Sequence, residues 1–215
     1  MKQGKRSTVR RLMAGSAVFL LMLAGCAGNQ VAADAPASSV GEKAVVVVSV
    51  THDAETGRRA KAGFVLDRDS KIHSTRVLRS IEEVLGVPKG SDFDDVHGRV
   101  YVLDVEPGTH TVSSWFTITG MSRLEPRTEP PALTFDVRAG EVVYIGNLNL
   151  NHVAGRSLIG VKAVAGAVPE VRDRAAIDIP LAEKRVASIK GRVATRLLPL
   201  GDWTASPGPR KGAVE

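Results

Sequence analysis

A series of short apolar or alternating runs, each cut off by glycine, proline or clustered polar residues, constrains this chain more than any other feature. Residues 44–51 (AVVVVSVT) are β-branched and short, which reads as a buried strand rather than a helix. Residues 61–68 (KAGFVLDR) follow a polar stretch, HDAETGRR, that reads as a hairpin loop. Residues 99–106 and 109–119 flank Pro107-Gly108. Proline presets φ and glycine tolerates positive φ, so residues 106–109 predict a type II turn. Alternation along 109–119 puts Val112, Ser114, Phe116 and Ile118 on one side, with Thr111, Ser113, Trp115 and Thr117 on the other. Residues 132–138 alternate with Leu133, Phe135 and Val137 inward, and Ala139-Gly140 turns them into 141–150. There Val142, Tyr144, Leu148 and Leu150 are expected to share a face. Residues 156–164 complete seven strands, the pattern of a single antiparallel β-sandwich.

Two segments carry helical spacing. Residues 74–85 place Val77, Leu78, Ile81, Val84 and Leu85 on one stripe, ended by Gly86 and Pro88, which predicts an inserted helix. Near the C-terminus, Asp178 as cap and Pro180 in the first turn predict a second helix. It would bury Ala182, Val186 and Ile189 and expose Lys184, Arg185 and Lys190. The expected fold is therefore mainly β, a sandwich of about seven strands with one inserted helix and a C-terminal helix, over residues 43–200. Residues 201–215 lack periodicity and read as a disordered tail.

The first 25 residues have different physics. Lys2, Lys5, Arg6, Arg10 and Arg11 give a positive start without an acid, and residues 12–23 (LMAGSAVFLLML) are uncharged and apolar. Twelve such residues are too few to span a bilayer, for which about 20 are needed, but suit a secretory signal. Leu23-Ala24-Gly25-Cys26 follows, and Cys26 is the chain's single cysteine. This resembles the lipobox of bacterial lipoprotein precursors. The resemblance implies lipidation of Cys26, cleavage between Gly25 and Cys26, and, with Ala27 rather than aspartate next, sorting to the outer membrane. Residues 26–42 are small and polar, a flexible tether behind the lipidated cysteine. Once the five leader bases are set aside, the formal charge of +6 falls to +1, which removes the support for a nucleic-acid partner.

Two turn motifs in the body add a second resemblance. Glu106-Pro107-Gly108-Thr109-His110-Thr111-Val112 and Ala139-Gly140-Glu141-Val142-Val143-Tyr144-Ile145-Gly146 are similar to the hairpins of small bacterial lipoproteins with a transthyretin-like (carboxypeptidase-regulatory-like) β-sandwich. Asp178-Ile179-Pro180-Leu181 resembles the helix that often follows that sandwich. The resemblance supplies no catalytic residues.

Candidate chemistry is sparse. Histidines stand at 52, 73, 97, 110 and 152, near loops or strand ends. Asp92, Asp94, Asp95 and His97 are the one local cluster of oxygen and imidazole donors, yet one loop offers too few ligands, and a solvated acidic turn is the expectation. No Gly-x-Ser-x-Gly elbow occurs, and Ser113 and Ser114 lie within a strand. Glycines are scattered, so no phosphate cradle forms. The expectation is a protein without catalytic residues, metal or cofactor, held to the outer membrane by its N-terminal lipid and facing the periplasm. It would serve as a binding or scaffolding module, with an envelope protein as partner. A small-ligand or carbohydrate carrier is the alternative, with His110, Trp115 and Tyr144 as its binding candidates; a hydrolase or metal-dependent enzyme stands behind it. Residues 171–215 hold nine bases and five acids, which ordinary solvation accounts for.

Overall fold

Nine consecutive buried residues make Ala44–His52 (β1) the centre of a sheet. The computed structural model describes residues 42–53, 60–68, 75–84, 87–156, 160 and 162–203. Signal segment, cleavage site, Cys26 and most of the tether therefore lie outside the described residues. The remaining strands are Ala60–Arg68 (β2), Arg76–Arg79 (β3), Glu83–Val84 (β4), Val87–Pro88 (β5), His97–Val105 (β6), Gly108–Thr119 (β7) and Ser122–Leu124 (β8). Leu133–Val137 (β9), Val142–Arg156 (β10), Lys162–Arg172 (β11), Ala194–Thr195 (β12) and Gly201–Asp202 (β13) complete those of the described residues, among which one α-helix, Ala175–Arg185 (α1), precedes β12.

The first sheet runs β13-β11-β10-β1-β6, with β12 on β10, and the second runs β3-β2-β7, with β8 and β9 both on β7. β1 is parallel to β10 and antiparallel to β6. The first sheet is thus mixed, which corrects the purely antiparallel expectation. Alternation fixes which side of a strand is buried; it does not fix the direction of the strand beside it.

Side chains of both sheets meet in one apolar core. Val46, Val48, Val50, Leu103, Ile145, Leu148 and Leu150 come from the first sheet, and Phe64, Leu66, Leu78, Val112, Trp115 and Phe135 from the second. On the opposite face of the first sheet, Val45, Val47, Val100, Val102, Val142 and Tyr144 pack under Ala182 of α1, with Val186 and Ile189 just beyond it. The expected burial of Ala182, Val186 and Ile189 is observed.

Two bulges reset the face assignments. Gly146, at φ +117, lies where the β1–β10 register shifts. Val143 and Ile145 therefore join Leu148 and Leu150 in the shared core, while Val142 and Tyr144 turn to the helix side. This corrects the expected common face of Val142, Tyr144, Leu148 and Leu150, because one inserted residue inverts the alternation beyond it. Opposite Val65/Leu66 a second shift lies between Val112 and Ser114, so Val112 and Trp115 both reach the core.

The described part of the segment expected to be helical, residues 75–84, is not helical, a second correction. Arg76–Arg79 pairs antiparallel with β2, burying Leu78 against the core and leaving Val77 44% exposed. Strand pairing here buries the alternate positions Leu78 and Ser80, and the edge of β2 that the segment joins prevails over its helical spacing. The turns at Pro107-Gly108 and Ala139-Gly140 also differ from expectation. Each carries the chain from one sheet to the other, as does the segment between β1 and β2, so none of the three closes a hairpin.

At the C-terminal end, Asp178 lies in the first turn of α1 rather than capping it, and Pro180 sits inside the helix. The tail expectation is corrected for residues 201–203. β13 pairs with β11, and Trp203 is buried, stacked on Phe64 with its indole N–H donating to the Pro131 carbonyl at 2.6 Å. Residues 204–215 lie outside the described residues.

Candidate functional site

Past Val45 and Val47 the helix-side face of the first sheet turns polar. Ser49 and Thr51 of β1 continue the face that Val45 and Val47 begin, and the Gly146 bulge brings Asn147 and Asn149 of β10 beside them. All four are fully buried. Asn147 donates to Ser49 Oγ at 2.7 Å, and the Thr51 hydroxyl lies 3.1 Å from Asn147 Oδ1 and 2.7 Å from Asn149 Oδ1. Asn149 then donates to Asn151, Asn151 to Glu170, and Arg172 to both Asn151 and Glu170. Buried amides and hydroxyls are tolerated because each finds a partner.

Asp178 ends this chain of bonds. Its side chain is fully buried, and Oδ2 accepts from Ser49 Oγ and, at 2.6 Å, from Tyr144 Oη. The other oxygen, Oδ1, stands 3.8 Å from Arg174 Nε. Burial drives the Asp178 carboxyl above its ordinary range; the two hydroxyls and Arg174 oppose that rise. The same burial and the neighbouring carboxylate raise the Tyr144 phenol out of its usual range. Arg174 also forms a bidentate pair with Asp95 and lies over the Phe93 ring, which joins α1 to the loop before β6. A serine and a tyrosine that both donate to one aspartate oxygen can pass a proton to it. Enclosed beneath α1, they hold the helix to the sheet.

A second group forms at the opposite end of β1 from Lys43. His52, His97 and His152 come together, His52 with its ring centroid 5.4 Å from each of the others. His52 Nδ1 is 2.8 Å from Ser80 Oγ, and His152 Nε2 is 2.9 Å from Thr117 Oγ1. Sequence reading found these histidines singly. His52 closes β1 and His97 opens β6, and His152 lies within β10 at the same level of the sheet. Among the described residues, no three His, Cys, Asp or Glu side chains are placed to hold a metal ion.

The expected binding candidates are not brought together. His110 is buried, stacked on Phe135 and bonded to the Glu106 carbonyl. Trp115 lies in the core between the sheets, and Tyr144 faces α1. The pocket expected from these three is therefore not formed; the bulges at Gly146 and near Ser113 separate their faces. In the acidic loop, Asp92 accepts from the Val100 amide and pairs with Arg185 at 2.8 Å, and Asp95 holds Arg174. Those carboxylates fasten the loop and helix to the edge strand β6. Comparison with protein-family models, curated proteins and solved structures gives no match.

Proposed function

We propose that this protein is a lipid-anchored, non-catalytic binding or scaffolding module of the bacterial cell envelope, its two sheets forming a single transthyretin-like β-sandwich. The observation that carries the reading is the placement of the single cysteine, directly after Leu23-Ala24-Gly25 and an uncharged apolar run. Diacylglycerol on Cys26, followed by cleavage after Gly25, would leave a mature chain tethered through residues 27–42. The outer membrane is the proposed address and the periplasm the compartment it faces. Two or more acyl chains make anchoring stable where one does not. Confinement to a surface then raises the effective concentration for envelope partners.

The body supports the non-catalytic part through the structural engagement of its polar groups. Ser49 and Tyr144 both donate to Asp178 beneath α1, and Asp92 and Asp95 bond to Val100, Arg185 and Arg174. Each is engaged in holding a secondary element in place. Metabolic labelling with palmitate tests the anchor: label is expected on the wild-type chain and absent from Cys26→Ser, which moves to the soluble envelope fraction. An unlabelled wild-type chain overturns the reading. Crosslinking in intact cells then identifies the partner.

A further inference from the structure

The core between the sheets does not end in aliphatic side chains at both ends. Along β1 the inward positions read Val46, Val48, Val50 and then His52; along β10 they read Leu148, Leu150 and then His152. On β6 His97 pairs directly with His52. Three imidazoles thus form the layer at which β1 ends and β6 begins, remote from Lys43, while β10 runs on past it to Arg156 beside β11. The second sheet meets them with hydroxyls, Ser80 at the end of β3 on His52 and Thr117 of β7 on His152. Ser80 also accepts from the Ala62 amide, which ties the layer to β2.

We propose that this imidazole layer is a proton-operated closure: neutral, it seals that end of the inter-sheet core, and proton uptake in mildly acidic solution opens it while the Lys43 end stays paired. Histidine is the side chain whose ordinary range makes such a response available. His52 is fully buried and a neighbour ring stands 5.4 Å away on each side, so cations added there are desolvated and repel one another. Burial already holds the His152 imidazole below its ordinary value, with Asp53 opposing. The charged groups described around the layer are Asp53 after β1, Arg99 of β6 and Glu82 before β4. Asp53 also accepts from the His152 amide, and Glu82 is shared between Arg99 and Lys89.

Amide hydrogen exchange on the full chain, followed by NMR at about pH 7.5 and about pH 5 and corrected for intrinsic rates, tests this. Protection of the Ala62, Ser80 and His152 amides is expected to fall about tenfold or more at the lower pH, with the Val45 and Gly140 amides unchanged. The double variant His97→Gln/His152→Gln is expected to lose most of that acid response. A uniform loss, no loss, or an acid response that survives in the variant overturns the proposal. Where the variant does not fold, the wild-type imidazole resonances decide. They must titrate together with the local opening, and titration without opening overturns it equally.

Discussion

Replacing Asp178 with alanine removes the acceptor shared by Ser49 and Tyr144, in a place with no solvent to replace it. A hydrogen bond to a charged acceptor contributes about 1.5–3 kcal/mol, so two lost together set an upper range of about 3–6 kcal/mol. Relief from burying a carboxylate offsets part of this, leaving a destabilisation of about 3 kcal/mol. For a domain of this size that lowers Tm by about 6–12 °C. Asp178→Asn keeps an oxygen for both hydroxyls and removes the charge, so it is expected within about 1 kcal/mol of wild type at neutral pH. The two differ again with pH. The folded carboxyl binds its proton more readily than its ordinary value of 3.8, so the folded state holds more protons than the unfolded chain between those two values. Wild-type stability therefore gains on that of Asp178→Asn as pH falls from 7 toward 4. Urea unfolding of the three proteins at several pH values measures both effects. An asparagine variant as unstable as the alanine variant, or a pH-independent difference from wild type, would refute the assignment of Asp178 as a buried acceptor holding α1.

Three further outcomes follow from single contacts. Trp203→Ala is expected to cost about 3–5 kcal/mol in urea unfolding, since the ring is buried against Phe64; a change under about 1 kcal/mol would place residues 201–203 outside the cooperative body. Gly63→Ala brings a Cβ to 2.2 Å from the Phe116 ring, so a loss of about 1–3 kcal/mol and a shifted Phe116 resonance are expected, and a neutral result would contradict that approach. Tyr101→Phe removes the hydroxyl that accepts from the Arg79 amide and donates to its carbonyl; calorimetry should show about 1–2 kcal/mol lost, together with faster amide exchange along β3.

Much of the strand content was legible because β-branched runs and period-two burial are local properties: residues 44–51, 99–106 and 133–137 needed only their own side chains to be read. Pairing was not legible. Pro107-Gly108 and Ala139-Gly140 specify that the chain reverses, and both reversals lead to the other sheet. The 74–85 segment misled because Val77, Leu78 and Ile81 satisfy a helical stripe, whereas the strand buries Leu78 and exposes Val77, and the edge of β2 that it joins is a property of distant sequence. Bulges were less legible: Ser113 carries no mark that distinguishes a bulge from a regular strand position, and Gly146 permits one without requiring it, yet they decide whether Tyr144 and Trp115 meet a common ligand or opposite layers. The Asp178 cluster unites residues from β1, β10 and α1 across 129 positions, beyond the reach of any motif.

The position of β1 also bears on how the polypeptide acquires its shape. The first long strand synthesised has its two neighbours far downstream, β6 beginning at His97 and β10 at Val142. A growing chain therefore carries an apolar ribbon with no ladder to join until most of the sequence has emerged. Pairings of such wide separation make for slow acquisition of structure and leave a long interval in which the ribbon can join another chain's edge. A holdase that recognises AVVVVSV during that interval would spare the cell an aggregate, and fragments ending before Leu150 should depend on it most.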